Sequence, residues 1–197
     1  MNWANMAVDK ADLVVGVGIR FDDRITGRAG SFAPKAKVVH IEIEPDQVNK
    51  NVFTHVPLVG DARTILGAIL PRVHHQERRP WFQHLQRLQL EHPSLTIPSG
   101  EGLLPQYVLS RLNETLSKVG ESVVVTGVGQ HQMWAAQYLF FDKPNTFITS
   151  GGLGVMGFEV PAAIGAQVGR PEATVWSVAG DGGFQMTMQE LATVVEE

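Results

Sequence analysis

The sequence predicts an α/β fold of parallel sheets in a doubly wound arrangement, on three observations. Short β-branched runs alternate with amphipathic stretches along most of the 197 residues. Several of those runs stop at glycines, notably at residues 127–130, 150–154 and 180–183. Parallel strands finish on one edge of their sheet, so such glycines gather where open α/β sheets bind ligands. With 44% hydrophobic and 18% charged residues, the chain has enough apolar material for a core.

In chain order, residues 2–10 read as the last turns of a helix, and 12–18, 37–43 and 56–61 as strands. A helix follows over 62–70, with Asp61 placed as its N-cap. Residues 71–102 break this rhythm, being rich in His, Arg, Gln and Pro. They read as a linker with a short amphipathic helix over 81–91, whose Trp81, Phe82, Leu85 and Leu88 should pack on a neighbour. Its histidines, His74, His75, His84 and His92, form no pair one helical turn apart with a supporting carboxylate, so a solvated linker is favoured over a metal site. Beyond residue 102 the pattern resumes with a helix over 105–118, Pro105 lying in its first turn. Strands then fall at 122–129, 146–150 and 174–179, the last expected to be buried, with helices at 130–138 and 158–168. The expected organisation is a first domain over 1–70, a linker over 71–102 and a second domain over 103–197. Both ends of the sequence interrupt a helical pattern without a cap, which suggests an internal piece of a longer chain.

A net charge of −4 disfavours nucleic acid and anionic membranes as partners, because both select basic surfaces. No apolar stretch reaches the ~20 residues of a membrane span, and the first residues lack a signal-peptide pattern. The absence of cysteine removes disulfides and thiolate metal sites and suits a reducing, cytoplasmic setting.

Chemistry is expected at the strand ends. Asp181 lies between Gly180 and the pair Gly182 and Gly183, which let the backbone bend sharply and approach a ligand closely. A hard carboxylate there suits a Mg²⁺ that also holds phosphate oxygens; the alternative is a tight turn with a solvated Asp. Gly129, Gln130 and His131 open a helix, where backbone N–H groups and side-chain donors attract a diphosphate, while Met133 and Trp134 read as helix core. In the first segment, Arg20, Asp22 and Arg24 could grip a phosphate-bearing cofactor, or could form a surface salt-bridge loop. Glu42 ends the second strand where nucleotide folds place a ribose-binding acid, and Gly60 and Asp61 end the third. Gly152, Gly154 and Gly157 form a Gly-x-Gly-x-x-Gly, giving an NAD-binding oxidoreductase as runner-up. Against it, Asp181 has glycines on both sides, and the strand before the motif is less apolar than a central first strand.

Five runs together resemble one family: Gly18-Ile-Arg-Phe-Asp-Asp-Arg-Ile-Thr-Gly27, His40-Ile-Glu-Ile-Glu-Pro45, Gly129-Gln-His-Gln-Met-Trp134, Thr149-Ser-Gly-Gly-Leu-Gly-Val-Met-Gly-Phe158 and Gly180-Asp-Gly182. The chain resembles the catalytic large subunit of acetohydroxyacid (acetolactate) synthase, a thiamine-diphosphate transferase of branched-chain amino-acid biosynthesis. The resemblance implies an FAD-binding middle domain followed by the diphosphate-binding domain. It assigns Arg20, Asp22, Arg24, Glu42, Gly60 and Asp61 to FAD, which is mainly structural in the family. It assigns Gly129, Gln130, His131, Gly154, Met156, Gly180, Gly182 and Gly183 to thiamine diphosphate, Met156 propping the bent cofactor, and Asp181 to Mg²⁺. It also implies 2-ketoacid substrates, a carboligation after decarboxylation of pyruvate, a homodimer or higher homo-oligomer, and in many members a regulatory small subunit. The family's activating glutamate and its second metal-ligand motif match nothing in these residues, so no catalytic residue is expected here and the segment alone should be inactive. Alternatives are a non-catalytic nucleotide-binding or subunit-pairing remnant, and a related carboligase such as glyoxylate carboligase. Glu159 departs from the family pattern, standing where a small residue is usual.

Overall fold

The computed structural model describes residues 1–97 and 102–196. The chain divides into two compact units, 1–94 and 95–197. Among the described residues no helix is long and apolar enough to cross a membrane.

In the first unit, helix α1 (Asn2–Lys10) leads into β1 (Leu13–Val17), and the short helix α2 (Asp23–Thr26) precedes β2 (Lys37–Glu42). After β3 (Val56–Val59) come α3 (Ala62–Ile69) and α4 (Arg79–Glu91). The strands pair in parallel in the order β1-β2-β3, so β2 is central and supplies buried Val38 and Ile41. Gly16 in β1 leaves room for the chain that follows: a Cβ there would lie 2.7 Å from Cζ of Phe21. Phe21 is buried despite its positive φ of 49° and meets the His40 ring edge-on at 4.9 Å. Packing thus overrides a backbone conformation that a bulky residue ordinarily avoids.

Helix α4 falls in the stretch expected to be a linker, yet it packs on α1 inside the first unit. Leu88 is buried, but Phe82 is exposed, contrary to the expectation that both would pack. Helix geometry explains the difference: at about 100° per residue, positions 81, 85 and 88 share a stripe and position 82 lies off it.

The second unit contains α5 (Pro105–Leu116), β4 (Ser122–Thr126), α6 (Gln130–Tyr138) and β5 (Phe147–Thr149). It continues with α7 (Glu159–Gly169), β6 (Thr174–Val178), α8 (Asp181–Thr187) and α9 (Leu191–Glu196). All three strands are parallel in the order β5-β4-β6. Alternation along β4 feeds two cores. Val124 meets Leu109, Ala135, Tyr138 and Leu139, from α5, α6 and the residue after it. Val123 and Val125 pack with Ala162, Ala163 and Ala166 of α7. Each such valine, essentially removed from water, stabilises the unit by about 1.5–3 kcal/mol.

Three expectations need correction. The run at 174–179 is not a buried strand, because β6 is at the sheet edge, with Thr174 and Ser177 exposed. Met133 is exposed rather than core, while Trp134 does pack against the Val124 cluster. Gly180 to Gly183 form no separate tight turn: the chain passes from β6 into α8 through Ala179 and Gly180, which has an extended φ of −84°, and Asp181 begins the helix.

Candidate functional site

Register places the site. Thr126 pairs with Thr149 on one side and Val178 on the other, so β4, β5 and β6 end level on one edge. The segments leaving that edge then touch. A Cβ on Gly180 would lie 2.9 Å from both Nδ1 and Cε1 of His131, which means the imidazole fills the space a side chain would need. Its Nε2 is buried without a partner, leaving one ring nitrogen unsatisfied. Gln130, next to His131 in the chain, and Asp181, next to Gly180, are both exposed. Met156 reaches the same turn from the loop after β5, with its Cε 3.2 Å from the position of a Cβ on Gly182.

Hydrogen bonds fix these segments to one another. Thr149 Oγ1 accepts from Thr126 Oγ1 and from Gln132 Nε2, each at 2.8 Å, tying β4, β5 and the first turn of α6 together. Neither Thr126, Thr149 nor Gln132 was singled out in the sequence; the usable signal was two strands expected to be parallel and both ending near threonine. In the loop 150–157, Val155 N–H donates to Ser150 Oγ at 2.9 Å, and Thr187 Oγ1 donates to the carbonyl of Gly157 at 3.1 Å. Gly157 has φ +80°, and a Cβ on it would come within 3.1 Å of Met186 and Thr187, so glycine is required there on both counts. Gly154 also has a positive φ, of 71°. Helix α7 starts at Glu159, beyond the third glycine of the Gly-x-Gly-x-x-Gly. A dinucleotide fingerprint would open the helix with those glycines, so the geometry departs from the NAD arrangement.

Glu159 lies beneath the turns. It is 0% exposed, and neither carboxylate oxygen has a hydrogen-bond partner. The carboxylate is wedged between Gly127, which follows β4, and Gly183 in α8; a Cβ on either glycine would overlap it.

The donor set suits an anionic ligand carrying a hard cation. Asp181 offers an exposed hard oxygen, and Gly129, Gln130 and His131 offer hydrogen-bonding groups at the start of α6. Among the described residues no three His, Asp or Glu side chains cluster as a metal site, so a cation here would have Asp181 as its side-chain ligand. A separate cavity of about 600 Å³, lined by Gly120, Ser122, Phe140 and Lys143 among others, contains none of the expected site residues.

In the first unit the strand ends also converge. Gly18 N–H donates to the carbonyl of Ile41, and Gly60 N–H to that of Glu42, both at 2.9 Å, extending the ladder past β1 and β3. The acids at this edge are engaged locally. Glu42 is buried, and its Oε1 accepts from the N–H groups of Ile43 at 2.8 Å and Glu44 at 3.2 Å. Asp61 accepts from both N and Oγ1 of Thr64 at 2.9 Å, capping α3, and these bonds hold its carboxyl below the usual carboxylate value. Arg20 pairs with Asp22 at 3.1 Å. Arg24 lines a groove of about 850 Å³ with Phe21, Asp23 and Phe32, whose lining does not include Arg20, Asp22 or Glu42.

Comparison with known proteins bears on both units. Residues 2–69 match the thiamine pyrophosphate enzyme central domain, and residues 127–197 the thiamine pyrophosphate enzyme C-terminal TPP binding domain. The acetolactate synthase of Mycobacterium leprae is 46% identical over 97% of this chain and 31% of its own length. The mitochondrial acetolactate synthase catalytic subunit of Saccharomyces cerevisiae is 44% identical, covering 98% of this chain and 30% of its own. The acetolactate synthase large subunit of Corynebacterium glutamicum is 45% identical, over 97% and 31% respectively. The chain thus spans about a third of the length of these relatives. Each unit thus matches one thiamine pyrophosphate enzyme domain, and along nearly its whole length the chain is a homologue of acetolactate synthase large subunits over part of theirs.

Proposed function

We propose that this chain is a segment of a thiamine-diphosphate-dependent acetolactate synthase large subunit, its second unit holding the Mg²⁺–diphosphate end of the cofactor. The observation that carries the reading is the His131 ring seated against Gly180, because it sets the segment proposed for the diphosphate beside the one proposed for the metal. Gln130 and His131 would donate to phosphate oxygens, Gly129 would keep a side chain out of the cradle, Gly180, Gly182 and Gly183 leave the room that His131, Met156 and Glu159 occupy, and Asp181 would ligate the Mg²⁺. Gly154 would let the loop after β5 pass close to the ligand, and Met156 would support the bent cofactor from the lip of the cradle. Bound thiamine diphosphate supplies a carbon nucleophile and electron sink for decarboxylating pyruvate and joining its two-carbon unit to a second 2-ketoacid.

Arg20, Asp22, Arg24, Glu42, Gly60 and Asp61 are proposed to border an FAD site in the first unit. Support comes from the level strand ends and the central-domain match; Glu42 and Asp61 would act mainly by shaping the backbone, given their local hydrogen bonds. We further propose 2-ketoacid substrates, a homo-oligomer, a regulatory partner and a cytoplasmic setting. The test is calorimetric titration of the purified chain with thiamine diphosphate and Mg²⁺. A saturable heat without acetolactate formation from pyruvate is expected, since the reading assigns the activating role to no residue of this segment. Absence of any saturable heat refutes the cofactor reading, and turnover by the chain alone refutes the assignment of that role elsewhere.

A further inference from the structure

Strand β5 has three residues and pairs only with β4 among the described strands, so side chains matter at its carboxyl end. Thr126 is fully buried, and Thr149 Oγ1 is its one hydrogen-bond partner among the described residues. Its hydroxyl therefore donates there, since its proton would otherwise be buried without an acceptor. The Gln132 amide donates to the same oxygen. Each side of this bridge continues towards a different part of the proposed cradle. Gln132 follows His131 directly and stands two residues from Gln130 in the first turn of α6. On the other side, the Gly151 N–H donates to the Thr149 carbonyl at 2.8 Å, and the Val155 N–H to Ser150 Oγ at 2.9 Å, one residue before Met156. A continuous run of covalent and hydrogen bonds thus joins the turn proposed for the diphosphate to the loop proposed to support the rest of the cofactor.

We infer that Thr149 and Gln132 are positioning residues, setting the spacing between the α6 turn and the Met156 loop so that one ligand engages both. The inference rests on the proposed cofactor site and adds two residues that act on the ligand through their neighbours. A ligand spanning two segments binds more tightly when their spacing is set beforehand, because less ordering is left for binding to drive. A ligand confined to one segment gains nothing from that spacing.

The experiment compares, by calorimetry with saturating Mg²⁺, the dissociation constants of thiamine diphosphate, which would span both segments, and of inorganic diphosphate, which would reach only the α6 turn. It uses the full chain and its Thr149→Val, Thr149→Ser and Gln132→Met variants, with circular dichroism as the check on folding. Valine removes the accepting oxygen, serine keeps it, and methionine keeps the length of Gln132 without its amide. The preference for thiamine diphosphate over inorganic diphosphate is expected to fall about tenfold in Thr149→Val and in Gln132→Met, the scale of one hydrogen bond, and less than about threefold in Thr149→Ser. A merely structural role would weaken both ligands together. An unchanged preference in a folded Thr149→Val or Gln132→Met chain, whether both affinities fall or neither does, overturns the inference and leaves the cofactor site standing. The unaltered chain alone also tests it: equal affinity for the two ligands means that the loop adds nothing to binding and overturns it whether or not any variant folds. No binding of either ligand refutes the cofactor site and the inference with it.

Discussion

Replacing Gly180 by alanine isolates the contact on which the functional reading depends. The backbone at 180, φ −84° and ψ 157°, is open to any residue, so the substitution introduces no dihedral strain. The new Cβ would lie 2.9 Å from Nδ1 and Cε1 of His131, whereas comfortable separations are about 3.5–4.0 Å. The ring must withdraw by roughly 0.6–1 Å, and turning it off its rotamer costs about 0.5–1.5 kcal/mol. Alanine is also a poorer N-cap than glycine for α8, by an amount on the order of 0.5 kcal/mol. The second unit should therefore lose about 1–2 kcal/mol and still fold, with its melting temperature lowered by roughly 4–8 °C per kcal/mol. Ligand affinity should fall further. A hydrogen bond to a charged group is worth about 1.5–3 kcal/mol, so displacing His131 should weaken Mg²⁺–thiamine diphosphate binding roughly ten- to a hundredfold. Thermal unfolding by circular dichroism and calorimetric titration give the two numbers. Gly165→Ala in α7 is the control: a Cβ there meets nothing within 4 Å, and affinity should change less than about threefold. A Gly180→Ala chain that melts lower but binds within twofold of the original would show that His131 does not hold the ligand.

Other perturbations address the supports. Gly183→Ala forces a methyl group into the Glu159 carboxylate and should cost about 1–3 kcal/mol, by urea unfolding. Glu159→Ala in the same chain should recover most of that loss, and additive effects in the double-mutant cycle would contradict the packing described. Thr149→Val removes the hydroxyl shared by Thr126 and Gln132, leaving the fully buried Thr126 without this partner; a loss of about 1–3 kcal/mol in unfolding is expected, and a neutral result would exclude the bridge. Asp61→Ala tests the cap on α3. The folded pKa of Asp61 is depressed below 3.8, so its contribution is present above that value and lost as pH falls through the folded pKa. The stability gap between Asp61→Ala and the unaltered chain should be full near neutral pH and close as pH falls below 3.8; a constant gap counts against the carboxylate cap.

Local rules of period and capping made much of the fold legible. Asp61 followed three residues later by Thr64 is a readable N-cap, and the structure uses both Thr64 donors to complete it. The three valines of β4 and the glycines after Thr126, Thr149 and Val178 correctly marked parallel strands ending together. What failed depended on neighbours outside the local window. The runs in β4 and β6 are similarly apolar, yet β4 has a strand on each side and β6 has one. Phe82 lies within an apolar run but off the angular stripe that Leu88 occupies, and only the packing against α1 reveals which angle counts. The Thr126–Thr149–Gln132 bridge joins three elements and has no signature in any one of them.

Glycines at strand ends pose a harder problem, because two demands produce the same letter. At Gly180 the missing side chain makes room for His131, a group assigned to the proposed ligand. At Gly127 and Gly183 the missing side chains make room for the protein's own carboxylate, Glu159. A chain with a small residue at 159 could fill that space with a methyl group at 127 or 183; this chain cannot while Glu159 remains buried there. The three positions are therefore coupled. A substitution at 159 changes which residues the strand ends tolerate, and pairing Glu159→Gln, which keeps the volume, with Glu159→Ala, which does not, separates the effect of volume from that of the carboxyl group.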